Sequence, residues 1–350
     1  MATMRQALLS APRQLELREV PVPTPGPGEL VVRVDLALTC GTDLKTFRRG
    51  HPKLPLPTPL GHEYTGTVAA VGAGVSRFRE GDPVLAVPSA PCGGCAPCRR
   101  GDLELCDRID GTTMAWGAFA DFIRVPAHVA SRNVFHRPPG LDLRLGALLE
   151  PLSCVVAGVE RLDLRRTETA LVLGSGPIGL LYVALLKQRA VPRVIVLGKR
   201  RTRLEAARAL GADLALDLEA GDPRELVRGA VAEGPCTVVE CVGKPEAWLL
   251  AADLVRKGGE VLLYGGCPAG AKVPFDAQRL HYDALTLKGA FHFSPADVRV
   301  ALDLIKRRAL PLEPLVDGRY PLGRLDEAFA RLEAGECLKL AIVPGEGPVA

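Results

Sequence analysis

Four of the chain's ten cysteines fall within fifteen positions. Cys92, Cys95, Cys98 and Cys106 follow the spacing C-x2-C-x2-C-x7-C, with Gly and Pro in the short gaps. Four thiolates so closely spaced can close a tetrahedral shell around one Zn²⁺ and leave no open position, so such a site is structural and folds a lobe. The plainer alternative is a reduced cysteine cluster without metal. A zinc ribbon for nucleic acid pairs its C-x2-C knuckles across a longer gap. Formal net charge is only +4, from 44 basic and 40 acidic residues, which also argues against a nucleic-acid surface.

A second set is dispersed. Cys40-Gly41-Thr42-Asp43, Gly61-His62-Glu63 and Glu150-Pro151-Leu152-Ser153 each place a metal-ligating type in a short polar segment. Taken singly, Cys40 reads as a core residue and His62 as a satisfied structural histidine. Taken together, one Cys, one His and one carboxylate leave a fourth position for water or substrate, which is the composition of a catalytic zinc. A third group is the run Gly174-Ser175-Gly176-Pro177-Ile178-Gly179, which follows the apolar stretch 170–173. A G-x-G-x-x-G between a strand and a helix permits a tight turn, close backbone approach to a pyrophosphate and close helix–strand packing. The helix that follows offers its free N–H groups to the phosphates.

The elements that carry these groups divide the chain. Residues 1 to about 153 read as β-rich, with an alternating strand at 30–34, Pro and Gly punctuation, and no helical pattern before Asp142. From about Glu168, apolar runs at 170–173, 194–197, 237–239 and 260–264 alternate with helices near 177–190, 202–210, 223–233 and 245–257. That alternation predicts a doubly wound parallel sheet. A further run at 285–288, a helix at 295–308 and a strand at 338–343 complete the pattern. Hydrophobic residues make up 47% and charged residues 24% of the chain, with no apolar run long enough to span a bilayer. The first ten residues read into a strand and lack the order of a signal peptide, so a cytoplasmic location is expected.

Gly61, His62, Glu63, Gly66, Gly72 and Val75 together resemble the complete signature of the zinc-containing medium-chain alcohol dehydrogenases. The four-cysteine lobe resembles their structural zinc site, and the Gly-rich turn follows in the family's order. Glu150-Pro151-Leu152 is similar to the sorbitol and threonine dehydrogenase branch. The resemblance covers essentially the whole chain and implies an α/β protein of two domains. A GroES-like β catalytic domain would be formed by residues 1–153 and 292–350, with the zinc lobe at 92–106. A Rossmann cofactor-binding domain would occupy 154–291. It further implies that Cys40, His62 and Glu63 bind the catalytic zinc, with Glu150 either a ligand or holding a water. Thr42 would pass the proton. Lys45 stands where many relatives have a relay histidine, and His51 has no assigned place. Gly174, Gly176, Pro177, Ile178, Gly179, Val242, Gly265, Phe291 and Lys339 would contact the cofactor. Phe47, Trp116 and the Phe291-His292 segment resemble the substrate-pocket and nicotinamide walls, with ordinary aromatic core as the alternative for each, Phe47 above all.

The implied activity is hydride transfer between a secondary alcohol or polyol, or its ketone, and NADP(H) or NAD(H), in a homodimer or homotetramer. Cys40 thiolate and one carboxylate formally neutralise Zn²⁺, so at most one glutamate is expected on the metal during reaction. NADP(H) is expected over NAD(H). An NAD site ends its second strand in Asp or Glu for the ribose 2′-OH. Here Gly198, Lys199 and Arg200 follow that strand, so Gly198 should leave space for a 2′-phosphate and the cations should meet its charge. Two other readings compete. A zinc-free quinone or enone reductase on the same fold would lack both metal sets, and a non-enzymatic nucleotide-binding protein would carry a broken one.

Overall fold

The computed structural model describes residues 2–51, 53–109 and 113–345. The chain folds as two compact units, one of residues 1–153, 293–307 and 316–350, the other of residues 154–292 and 308–315. The first boundary falls inside the helix Leu149–Val159. The expected continuous stretch 292–350 is interrupted, because 308–315 belongs with the second unit, and its last five residues lie outside the described ones.

The first unit opens with β1 (Thr3–Ala11), β2 (Gln14–Pro21), β3 (Leu30–Leu38), β4 (Thr58–Pro59), β5 (Glu63–Val71), β6 (Pro83–Ala86), β7 (Phe122–Val125) and β8 (Val134–His136). The second unit holds β9 (Thr169–Leu173), β10 (Arg193–Gly198), β11 (Leu214–Asp217), β12 (Thr237–Glu240), β13 (Glu260–Leu263) and β14 (Thr286–Gly289). β15 (Val316–Pro321) and β16 (Lys339–Val343) return to the first.

In the first unit β2-β1-β4 form one sheet and β15-β16-β3-β5-β6-β8 another, with β7 also paired to β3. β3 is the hub. It pairs antiparallel with β5, β7 and β16. The register sets Leu38 opposite Glu63, and Ala341 of β16 opposite Leu38. The end of β3 and the starts of β5 and β16 therefore meet at one edge, which brings residues about 300 positions apart within side-chain reach.

The signature glycines serve this sheet. A Cβ on Gly66 would lie 2.2 Å from the Arg33 carbonyl oxygen of β3. One on Gly72 would lie 1.8 Å from the Gly26 carbonyl oxygen. Both obstacles are backbone, so no rotamer change relieves them.

The second unit is a six-stranded, wholly parallel sheet in the order β11-β10-β9-β12-β13-β14. Ala170, Leu171 and Val172 are fully buried, as continuous apolar strands covered on both faces must be. The order reverses beside β9, which makes the ends of β9 and β12 the place where a doubly wound sheet binds its ligand.

Two expectations need correction. The helix Gly41–Arg49 lies well before Asp142. Its amphipathic signal is short, and it is fixed instead by a capping box between Cys40 and Asp43. β11 was not anticipated because four residues, Leu214-Ala215-Leu216-Asp217, carry too little pattern to stand out.

Replacing Gly72 by Ala should lower the unfolding midpoint by a destabilisation on the order of 2–4 kcal/mol, the cost of moving backbone away from a methyl group. Thermal or urea unfolding measures it, and an unchanged midpoint would refute the close approach.

Candidate metal centre and dinucleotide site

Cys40 lies two residues past β3 and caps the helix Gly41–Arg49, its sulfur accepting from the Thr42 N–H at 3.5 Å. Asp43 is fully buried one residue further on. One of its oxygens accepts from the Cys40 N–H at 3.0 Å. The other accepts from the Gly61 N–H at 3.1 Å and lies 3.2 Å from His62 Nδ1. One carboxylate thus ties the Cys40 turn to the Gly61-His62 segment. A proton on Nδ1 facing Asp43 leaves Nε2 as the free lone pair. The opposite face of the imidazole is set by Trp116, whose ring stacks on it at 4.8 Å and 3°.

The ligand atoms of Cys40, His62 and Glu63 all lie within 4.8 Å of one another. Burial works against a charged His62, yet the Asp43 carboxylate and the Cys40 sulfur outweigh it and hold its pKa well above the usual histidine value. This donor set of thiolate, imidazole and carboxylate, beside the buried Asp43 carboxylate, fits Zn²⁺. Glu150, in the first turn of the helix Leu149–Val159, is 8% exposed and does not belong to that three-atom cluster.

Lys339 is placed differently from the cofactor contact the resemblance implied. It starts β16 and is 2% exposed, and its ammonium donates to both Glu63 oxygens at 2.6 Å and to the Thr39 carbonyl at 3.1 Å. Those bonds use all three of its donors. Burial disfavours its charge, but Glu63 and then Cys40 outweigh burial, so its pKa is raised. The charge balance at the site therefore includes a cation that counting Cys40 and the glutamates alone omits. Thr42 is exposed at the start of its helix, and Lys45 is exposed too. His51 lies beside Trp116, with ring centroids 6.3 Å apart. Phe47 packs edge-on against Phe329 at 5.1 Å as part of the core.

Cys92, Cys95, Cys98 and Cys106 form a second cluster, again with all ligand atoms within 4.8 Å. Cys95 and Cys106 sulfurs are 3.8 Å apart, which matches the edge of a tetrahedron built on Zn–S bonds of about 2.3 Å. The backbone N–H groups of Gly94 and Cys95 draw the Cys92 thiol down to about 6, while burial pushes Cys98 up to about 12. Among the described residues, Ile109 and Leu103 are the non-cysteine apolar residues packed with the cluster, a small core that suits a metal-ordered lobe.

In the second unit Gly174 turns the chain at φ +108°, and a Cβ there would meet Val242 at 3.1 Å. Gly176 caps the helix Pro177–Gln188, Pro177 and Ile178 form its start, and a Cβ on Gly179 would stand 2.0 Å from the Gly174 carbonyl. Val242 is 44% exposed at the mouth of this turn. Gly265 stands against Gly243, where a Cβ would lie 2.3 Å from the Gly243 nitrogen. Phe291 is 54% exposed just beyond β14. Glu240, which the motif reading missed, is buried and accepts from the Val242 and Gly243 N–H groups at 2.6 and 2.9 Å. Lys199 and Arg200 are exposed after β10. Gly198 is not open space, because a Cβ there would lie 2.4 Å from Ser175 Oγ. The expectation of room at this position is corrected: the Gly-rich turn already fills it.

Comparison with known proteins agrees with both units. Residues 26–133 match the alcohol dehydrogenase GroES-like domain, and residues 177–307 match the zinc-binding dehydrogenase domain. A sorbitol dehydrogenase of Halalkalibacterium halodurans is 30% identical over 332 residues, covering 94% of this chain and 95% of that protein. An L-threonine 3-dehydrogenase of Bacillus subtilis is 29% identical over 335 residues, covering 94% of each. A zinc-binding dehydrogenase structure from Sinorhizobium meliloti, bound to NADP, superposes with a TM-score of 0.91 at 30% identity, covering 98% of this chain and all of that one. The chain belongs to the zinc-containing medium-chain alcohol dehydrogenases. Within them it falls in the sorbitol and threonine dehydrogenase branch, and it is an oxidoreductase that uses zinc and a nicotinamide cofactor. Among the described residues no helix is long and apolar enough to cross a membrane.

Cys98→Ser should remove one zinc per chain and lower the melting temperature, since binding of a structural zinc is coupled to local folding. Metal analysis beside a melting curve tests it, and wild-type values for both would count against the lobe.

Proposed function

We propose that this enzyme interconverts a secondary alcohol or polyol and its ketone with NADP(H) as preferred cofactor, using one catalytic and one structural zinc per chain. The observation that carries the reading is the Cys40–His62–Glu63 cluster, with its ligand atoms within 4.8 Å of one another. These residues would hold the catalytic ion, and Cys92, Cys95, Cys98 and Cys106 the structural one. When bound, zinc polarises the substrate oxygen and the nicotinamide ring exchanges the hydride.

The chain's own residues do the remaining work. Asp43 keeps His62 in one tautomer and orientation. Lys339 holds Glu63 and offsets its charge, so Glu150 can stay close by and orient a water or the substrate hydroxyl without overloading the site with negative charge. The exposed hydroxyl of Thr42, beside Cys40, takes the proton towards solvent. Gly174, Gly176, Pro177, Ile178 and Gly179 cradle the pyrophosphate, and Val242, Gly265 and Phe291 line the cofactor's path. The basic turn Lys199-Arg200, with no carboxylate at Gly198, supports NADP(H). The ten cysteines form no disulfide, as suits a reducing cytoplasm. Leu280 and Tyr282, exposed on the second unit, support assembly as a homodimer or homotetramer.

Cys40→Ala and His62→Ala should each cut turnover of a good alcohol substrate by roughly 10³ or more, the several kcal/mol that Lewis-acid polarisation supplies, while the fold survives. Steady-state rates with circular dichroism test this, and near-normal activity in either variant would defeat the site. Comparing kcat/KM for the two cofactors should favour NADP(H), and a clear NAD(H) preference would overturn that part.

A further inference from the structure

Ser175 is the variable residue between the first two glycines of the phosphate-binding turn, and it is 5% exposed. Its hydroxyl donates to the Lys199 carbonyl at 3.0 Å and accepts from the Lys199 N–H at 3.2 Å. One hydroxyl can do both at once, through its single hydrogen and a lone pair. The two bonds clasp the peptide groups on either side of Lys199, and so join the turn after β9 to the turn after β10. The next residue, Arg200, is a non-glycine held at φ +72° as it caps the helix Arg201–Ala209. Such a backbone persists only where its surroundings over-determine it. The clasp on Lys199 restrains the peptide that leads into Arg200.

The same side chain closes the neighbouring position. A Cβ on Gly198 would stand 2.4 Å from Ser175 Oγ, 2.5 Å from its Cβ and 3.1 Å from its nitrogen. Two of these three obstacles belong to the side chain. The nearest other acid in register, Asp217 on β11, accepts from its own Glu219 N–H at 2.9 Å. The following cation, Arg201, is paired with Glu205 at 2.8 Å. Lys199 and Arg200 are the exposed cations that the clasp orients.

We propose that Ser175 is the specificity-determining positioning residue of the dinucleotide site. Its hydroxyl fixes the Lys199 peptide so that Lys199 and Arg200 meet a 2′-phosphate, and its side chain bars from position 198 the carboxylate that an NAD(H) site uses. This rests on the NADP(H) reading above. It differs from a general role in stability because it changes the ratio of two affinities rather than both together.

The test is calorimetric and needs no alcohol substrate: Kd for NADPH, NADH, 2′,5′-ADP and 5′-AMP on the folded, zinc-loaded protein. Ser175→Ala should weaken NADPH and 2′,5′-ADP about tenfold, the worth of one charge-assisted contact, and leave NADH and 5′-AMP nearly unchanged. Gly198→Asp alone should weaken NADPH without strengthening NADH. Gly198→Asp combined with Ser175→Gly should strengthen NADH over the single variant. An unaltered NADPH-to-NADH ratio in Ser175→Ala overturns the inference, as does tighter NADH binding in Gly198→Asp alone. Wild-type protein that binds NADH more tightly than NADPH overturns the cofactor reading itself, and the inference with it.

Discussion

The buried carboxylate of Asp43 anchors the first unit's chemistry. Shielded from water, it must be fully partnered, and its partners are the Cys40 N–H, the Gly61 N–H and His62 Nδ1. Those three groups belong to two segments that share no secondary structure. The carboxylate therefore sets the distance between thiolate and imidazole, and the negative charge it brings makes the cavity receptive to a dication. Trp116 completes the constraint from the other face of His62.

Around that knot the sheet does the coarse positioning. β3 leads into Cys40 two residues past its end, β5 begins with Glu63, and β16 begins with Lys339. The antiparallel register of β3 with both neighbours makes these ends coincide. A buried Lys–Glu pair is costly unless every donor finds a partner. Here the third donor of Lys339 goes to the Thr39 carbonyl, and the Thr39 hydroxyl in turn accepts from the Leu340 N–H. The close contacts at Gly66 and Gly72 let neighbouring backbone approach this sheet near enough to keep the register. The cysteine lobe needs none of this, because its four ligands lie within one short loop and a metal can order them locally.

The second unit solves a different problem with the same economy. In the proposed dinucleotide site, backbone rather than side chains would meet the pyrophosphate, so what matters is where each Cβ is missing. Gly174 and Gly179 are the sites of close approach. Glu240 holds the facing turn at Val242 and Gly243, opposite the Gly-rich loop. Ser175 then couples that loop to the basic turn through both of its hydrogen bonds to Lys199, so the two turns form one hydrogen-bonded assembly.

What the sequence determined by itself was whatever lies close along the chain. The C-x2-C-x2-C-x7-C spacing, the Gly-rich turn after an apolar run and the missing acid at Gly198 are local facts with local causes. The alternation of apolar runs with helices made the parallel sheet legible for the same reason. Cys40, His62 and Glu63 were legible only as a combination and through family likeness, since nothing in their spacing brings them together. The role of Asp43, the turning of Lys339 towards Glu63 and the filling of the space beside Gly198 by Ser175 were decided by tertiary structure. Each depends on register between strands or turns far apart in sequence. A strand slipped by one residue would point every side chain to the other face. Pairings of this kind have no signature in composition or periodicity, because they exist only once the sheets have closed.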